Sequence, residues 1–307
     1  MCIRDSIIGV FVLIYASDVL VSSLLPPKHM SGSLKVALVQ PNISPYDNYN
    51  LTAQKLENVV RKALKDKKIS SVSLVVFPES VIIDDVKRLR FGKELEEWAN
   101  THQKDILLGY LDDSQNVANL IKVNKGFQKE YAKTKLVPFS EFIPNFFPFS
   151  HFKFLMIYNF KPGDKYVIYR TTGGKRISVM ICFESFFSSV ARKLVNNGSQ
   201  ILFVITNDGW FGKSSALEQH LVKGIYRAVE NRRPFLQCAH TGISAEIDKY
   251  GRIIARTPIG VKTILNVSVD GNSKKTFYTT HGDWFVGFAF ILSIVSFVID
   301  IAQKRKM

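Results

Sequence analysis

The stretch "RISVMICFESFF" (176–187) decides how the chain is read. Its apolar run has the length and β-branched content of a buried strand, yet it stops at Cys182 and sets Glu184 two places further on, among aromatic rings. Most unpaired cysteines are small core hydrophobes. Whether this thiol packs or reacts depends on what the rest of the chain can bring beside it.

Outward from this stretch the pattern alternates strand and helix. "LKVALVQ" (34–40), "SVSLVVFPES" (71–80), "DILLGYLD" (105–112) and "QILFVITND" (200–208) read as strands, the second stopped by Pro78. Amphipathic helices are predicted over 50–66, 93–103, 187–198 and 215–232. Hairpins are predicted over 119–136, 166–184 and 243–258, the first turning at Asn124 to Gly126 and the second at Gly173 and Gly174. Mixed hairpins and helix-linked strands predict a layered α/β domain over 34–281, with the sheet inside and helices outside.

Both ends look like membrane. Residues 7–25 are nearly continuous in apolar and small residues, flawed by Asp18, whose burial costs about 2.5–3.5 kcal/mol on insertion scales. No small-residue cleavage site follows, which favours a retained anchor and a linker ending at residue 33. The run "WFVGFAFILSIVSFVID" (284–300) opens on Trp284 and is closed by the basic residues Lys304, Arg305 and Lys306, so residues 282–307 read as a second span with a cytoplasmic tail. The domain between then lies on the outer side.

The 307 residues, 46% of them hydrophobic, exclude a disordered chain, and three cysteines exclude a disulfide scaffold, although a single Cys182–Cys238 bridge stays open. No cysteine–histidine spacing suits a metal. A formal charge of +15 fits an anionic membrane surface; with no recognition-helix, zinc-finger or RNA-binding signature, nucleic acid is not expected as a partner.

Three reactive side chains fall where predicted strands end: Glu79 in "VVFPES", Lys133 in "EYAKTKLVPFSEF" and Cys182 in "VMICFES". Strand ends along one rim are where α/β domains gather chemistry. Together they resemble the nitrilase superfamily, whose members use a glutamate, a lysine and a cysteine. The similarity is closer to the apolipoprotein N-acyltransferases, membrane enzymes that complete bacterial lipoproteins. "YAKTKLVPFSEFIP" resembles that family's lysine motif and "CFES" its cysteine motif, while "TNDGWFG" (206–212), "HTGISAEID" (240–248) and "YTTHGDW" (278–284) resemble three further segments in the same order. Lys135, Ser140 and Phe183 depart from the family's usual histidine, glycine and tyrosine.

The resemblance implies a nitrilase-like αββα sandwich flanked by transmembrane helices, in the bacterial inner membrane with its catalytic domain on the periplasmic side. It implies Glu79 as base, Lys133 as oxyanion donor and Cys182 as nucleophile, supported by Glu141, Phe183 and Glu184. The acyl donor would be a phospholipid, the acceptor a diacylglyceryl apolipoprotein, and no cofactor would be needed. The aromatic stretch 142–160, with Phe146 and Phe147, and the pair Trp210 and Phe211 would face lipid. The resembled family carries several membrane helices ahead of this domain, where one candidate is found here, which implies a fragment or a shortened protein. A membrane-tethered amidase and an inactive binding module are the rival readings.

Overall fold

The computed structural model describes residues 33–43, 53–112, 114–144 and 159–304. The predicted N-terminal span, and Phe146 and Phe147, lie outside the described residues.

Two sheets are stacked face to face. In the first, β1 (Leu34–Gln40), β2 (Leu74–Val76) and β3 (Asp105–Leu111) run parallel, and β4 (Asn116–Lys122) returns antiparallel to β3. β5 (Gly126–Phe127) and β6 (Tyr131–Ala132) both pair with β4. The second sheet comprises β7 (Tyr169–Arg170), β8 (Arg176–Ile181), β9 (Ile201–Thr206), β10 (Phe235–Ala239), β11 (Ala245–Ile247) and β12 (Ile253–Arg256), in the order β12-β11-β10-β9-β8-β7. Its central strands β8, β9 and β10 are parallel. Strands covered on both faces must be apolar throughout, which is why "LVV" and "ILFVIT" show no alternation.

Helices cover the outer faces. α1 (Ala53–Leu64) and α2 (Arg90–His102) bury Leu56, Val60 and Leu95 against the first sheet. On the second sheet, α3 (Ser188–Asn196) and α4 (Ala216–Asn231) bury Val190, Leu194 and Leu221. Between the sheets, Leu38, Val76 and Leu107 meet Val179, Phe203 and Leu236. The order helix, sheet, sheet, helix is the αββα sandwich, and each predicted strand and hairpin is found within its range. Two strands lie outside those ranges: β10, between β9 and β11 in the second sheet, and β13 (Thr263–Val269), which pairs antiparallel with β1 along its whole length at the sheet edge.

After the short α5 (Phe277–His281), the apolar C-terminal segment forms α6 (Trp284–Lys304). Its described apolar side chains point away from the domain, Phe290 being 67% exposed. Among the described residues no helix is long and apolar enough to cross a membrane, so the described fold does not reproduce the expected flanking spans.

Candidate active site

The topology brings three strand ends to one rim. Glu79 follows β2, Lys133 follows β6 directly, and Cys182 follows β8 directly. All three border one cavity of about 350 Å³. Cys182 opens a 3-10 turn, Cys182–Phe186, with its backbone in the left-handed region at φ +48°. For a residue with a Cβ that conformation costs about 1–2 kcal/mol. Surrounding contacts must therefore hold it.

The polar centre is almost sealed from water. Lys133, 1% exposed, donates from Nζ to Glu141 Oε1 at 2.8 Å and to Glu79 Oε1 at 3.2 Å. Glu79 Oε1 also accepts from Asn116 Nδ2 at 2.7 Å, and its Oε2 accepts the backbone N–H of Asn207 at 2.8 Å. Glu141 is steadied in turn by the Val137 N–H at 2.8 Å. Burial alone would lower the pKa of Lys133, but Glu79, Cys182 and Glu141 outweigh it and hold the ammonium above its ordinary value. The thiol of Cys182 is pushed well up by its enclosure and then by Glu79, with Lys133 opposing both. A thiol shifted this way is not a ready-made thiolate and needs a base when it reacts.

Glu184 does different work. It is fully buried and borders no part of the cavity. Its carboxylate accepts from Tyr131 Oη at 2.8 Å, from the N–H and hydroxyl of Thr134 at 2.7 Å each, and from the Ile181 N–H at 2.8 Å. It thus ties the turn that begins at Cys182 to the loop that carries Lys133. Burial pushes its carboxyl up, against those hydrogen bonds.

The expected aromatic residues divide. Trp210 and Phe211, 38% and 41% exposed, form part of the cavity wall. Phe183 does not border it; its ring packs against Phe186 and Phe187, with centroids at 5.5 and 5.1 Å. Cys182 and Cys238 are both free, so the bridge left open by the sequence does not form. Among the described residues no cluster of His, Cys, Asp and Glu could hold a metal ion.

Three contributors were not legible as parts of the site. Asn116 and the Asn207 backbone grip Glu79, and His240 Nε2 donates to the Glu79 carbonyl at 2.8 Å. Burial pushes His240 down to about 4, so it is a neutral donor at pH 7. A polar residue opening the apolar strand "NVANLIK" is the one hint the sequence offers of Asn116.

Residues 35–276 match the carbon-nitrogen hydrolase family model. An apolipoprotein N-acyltransferase of Thermotoga maritima is 36% identical over 96% of this chain and 57% of its own length. The enzyme of the same name from Geobacter metallireducens is 32% identical over 82% of this chain and 50% of its own. The chain thus spans about half the length of these curated relatives. Among solved structures, Saccharomyces cerevisiae Nit3, of branch 10 of the nitrilase superfamily, matches with TM-score 0.60 and 20% identity over 80% of this chain and 93% of its own. An amidase from Nesterenkonia sp. matches with TM-score 0.60 and 17% identity over 83% of this chain and 98% of its own.

Proposed function

Because the chain belongs to the carbon-nitrogen hydrolase family, we propose that its cavity carries out that family's cysteine chemistry as an N-acyl transfer, from a phospholipid to the α-amino group of a diacylglyceryl-cysteine lipoprotein. The observation that carries this reading is the meeting of Glu79, Lys133 and Cys182 at one cavity walled by Trp210 and Phe211. The similarity to apolipoprotein N-acyltransferases supports the choice of substrates. An anchoring role for α6 in the inner membrane, with the domain on the periplasmic side, belongs to the same proposal. Its outward apolar side chains need an apolar surrounding.

In the first half-reaction the Glu79 carboxylate takes the proton of the Cys182 thiol, and Sγ attacks the ester carbonyl carbon. Lys133, with the backbone N–H after Cys182, stabilises the oxyanion; one such donor contributes about 2.7–4 kcal/mol. Collapse breaks the C–O bond, and Glu79 returns the proton to the departing lysophospholipid oxygen, leaving a thioester on Cys182. In the second half the acceptor amine attacks that thioester and gives its proton to Glu79. The C–S bond breaks, and the proton passes to Cys182, restoring the thiol.

Mass spectrometry of the protein after exposure to phospholipid tests this. The expected result is an acyl mass on Cys182, absent in Cys182→Ala and discharged by a diacylglyceryl-cysteine peptide. Turnover of small amides with no lipid adduct would replace transfer by hydrolysis, and the absence of both would remove catalysis altogether.

A further inference from the structure

Behind the nucleophile's turn runs a second chain of buried polar side chains, none of which borders the cavity. Asp208, His220 and Ser185 are each at most 1% exposed. Asp208 Oδ1 accepts the Thr206 hydroxyl at 2.7 Å and lies 2.7 Å from His220 Nδ1. His220 Nε2 lies 2.7 Å from Ser185 Oγ, and the Ser185 hydroxyl donates to the carbonyl of Cys182 at 3.0 Å. Acid, imidazole and hydroxyl in this order look like a serine nucleophile's apparatus. Ser185, however, is enclosed and its single proton is already engaged.

With the Ser185 hydroxyl donating to the Cys182 carbonyl, the proton count calls for a charged ring. With the hydroxyl proton on the Cys182 carbonyl, Ser185 can only accept from His220, so Nε2 carries a hydrogen. Nδ1 faces a carboxylate, which only accepts, so it carries one as well. A neutral ring would set two lone pairs against each other at Asp208 or take Ser185's proton away from Cys182. The surroundings agree: burial would push His220 down, but Asp208 beside it and the Cys182 carbonyl leave it raised. The other ionisable group bearing on it is Glu79, which also raises it. On its own helix, Arg227 donates to the Ser185 carbonyl at 3.1 Å.

We propose that His220, as an imidazolium held between Asp208 and Ser185, is a positioning residue that fixes the carbonyl, and with it the left-handed backbone, of Cys182. The proposal rests on the reading of Cys182 as the nucleophile. Glu184 secures the turn ahead of Cys182, at the Ile181 N–H, and the charged histidine secures it behind. Between two fixed ends the thiol has one direction to face.

Two measurements on the full chain in detergent test this. In protein labelled with 15N at histidine, His220 is expected to show both ring nitrogens protonated at pH 7. His220→Gln keeps a donor without the charge, and iodoacetamide should alkylate its Cys182 on the order of 10²-fold more slowly than the wild type. That gap should close as pH rises and the wild-type ring loses its proton, a dependence that packing alone would not produce. A neutral ring at pH 7, equal alkylation rates, or a gap that stays constant while the ring deprotonates would each overturn the proposal. Should His220→Gln fail to fold, the wild-type ring spectrum and Ser185→Ala, which cuts the link and leaves the ring in place, decide it in the same way. If the wild-type thiol takes no acyl group from phospholipid, the proposed function falls, while the ring state and alkylation rates still decide the role of His220.

Discussion

Glu79 and Glu184 are both buried carboxylates within the same αββα frame, 5% and 0% exposed, but only Glu79 borders the cavity. Glu184 is held by its charge, with donors from Tyr131, Thr134 and Ile181 converging on its two oxygens. Glu79 is held by its backbone as well: His240 grips its carbonyl, and β3 passes so close that a Cβ at Gly109 would lie 2.8 Å from the Glu79 Cα. A carboxylate ringed by donors and away from any cavity is a strut. One whose backbone is fixed elsewhere, and which borders a cavity, can take and return a proton.

The largest expected effect separates the two directly. Glu79→Gln removes the proton acceptor and should slow acylation of Cys182 by about 10²–10⁴-fold in single turnover. Its loss of Tm should be the smaller of the pair, because Lys133 keeps Glu141 at 2.8 Å. Acylation at the wild-type rate would dismiss Glu79 as the base.

Glu184→Gln should show the reverse balance. The new amide turns a donor toward backbone N–H groups that need an acceptor, at a cost of roughly 3 kcal/mol. In a domain of this size that is a fall in Tm of roughly 6–12 °C. Acylation measured on the folded fraction should fall less than in Glu79→Gln. Calorimetry on both variants checks the order; if Glu79→Gln melts lower, the distinction between strut and base is wrong.

The sequence carried this contrast only in part. Parallel strands were legible because double-sided burial demands unbroken apolar runs; Cys182 and Glu79 stood out as reactive groups at the ends of such runs, and Lys133 at the end of a predicted hairpin. β13 did not stand out, since an edge strand with a half-exposed face, "TILNVSV", carries polar residues and shows no clear signal. The grip on Glu79 was hidden for another reason. Asn116, Asn207 and His240 reach it across 37, 128 and 161 residues, and no local pattern encodes such contacts.

His240 offers a pH test of the backbone grip. Unfolded, its imidazole takes a proton near 6.5; folded, only near about 4. Between those values the unfolded chain binds more protons, so this group's contribution to stability falls as pH drops through the window and levels off below it. The full loss is on the order of 3 kcal/mol. His240→Asn should be less stable than the wild type at pH 7, with the gap closing toward pH 4. Parallel stability curves for the two proteins would mean that His240 does not stay neutral beneath Glu79.

The smallest effect expected on stability tests the other half of the grip. In Gly109→Ala the new methyl would meet the Glu79 Cα, the Pro78 carbonyl oxygen and Ile205 Cδ1, all at 2.8 Å, and two of these are backbone atoms that cannot rotate aside. Overpacking of this kind costs about 1–3 kcal/mol. The strain falls on the segment that carries the base, so acylation should suffer more than stability: a shift of about 1 Å at a reacting group can cost 10²-fold. None of the three nearest atoms belongs to Tyr131, Thr134 or Ile181, so the strut at Glu184 should be untouched. A variant that loses Tm while acylating normally would show that β3 supports the fold alone, and that Glu79 is placed by His240 and its side-chain partners.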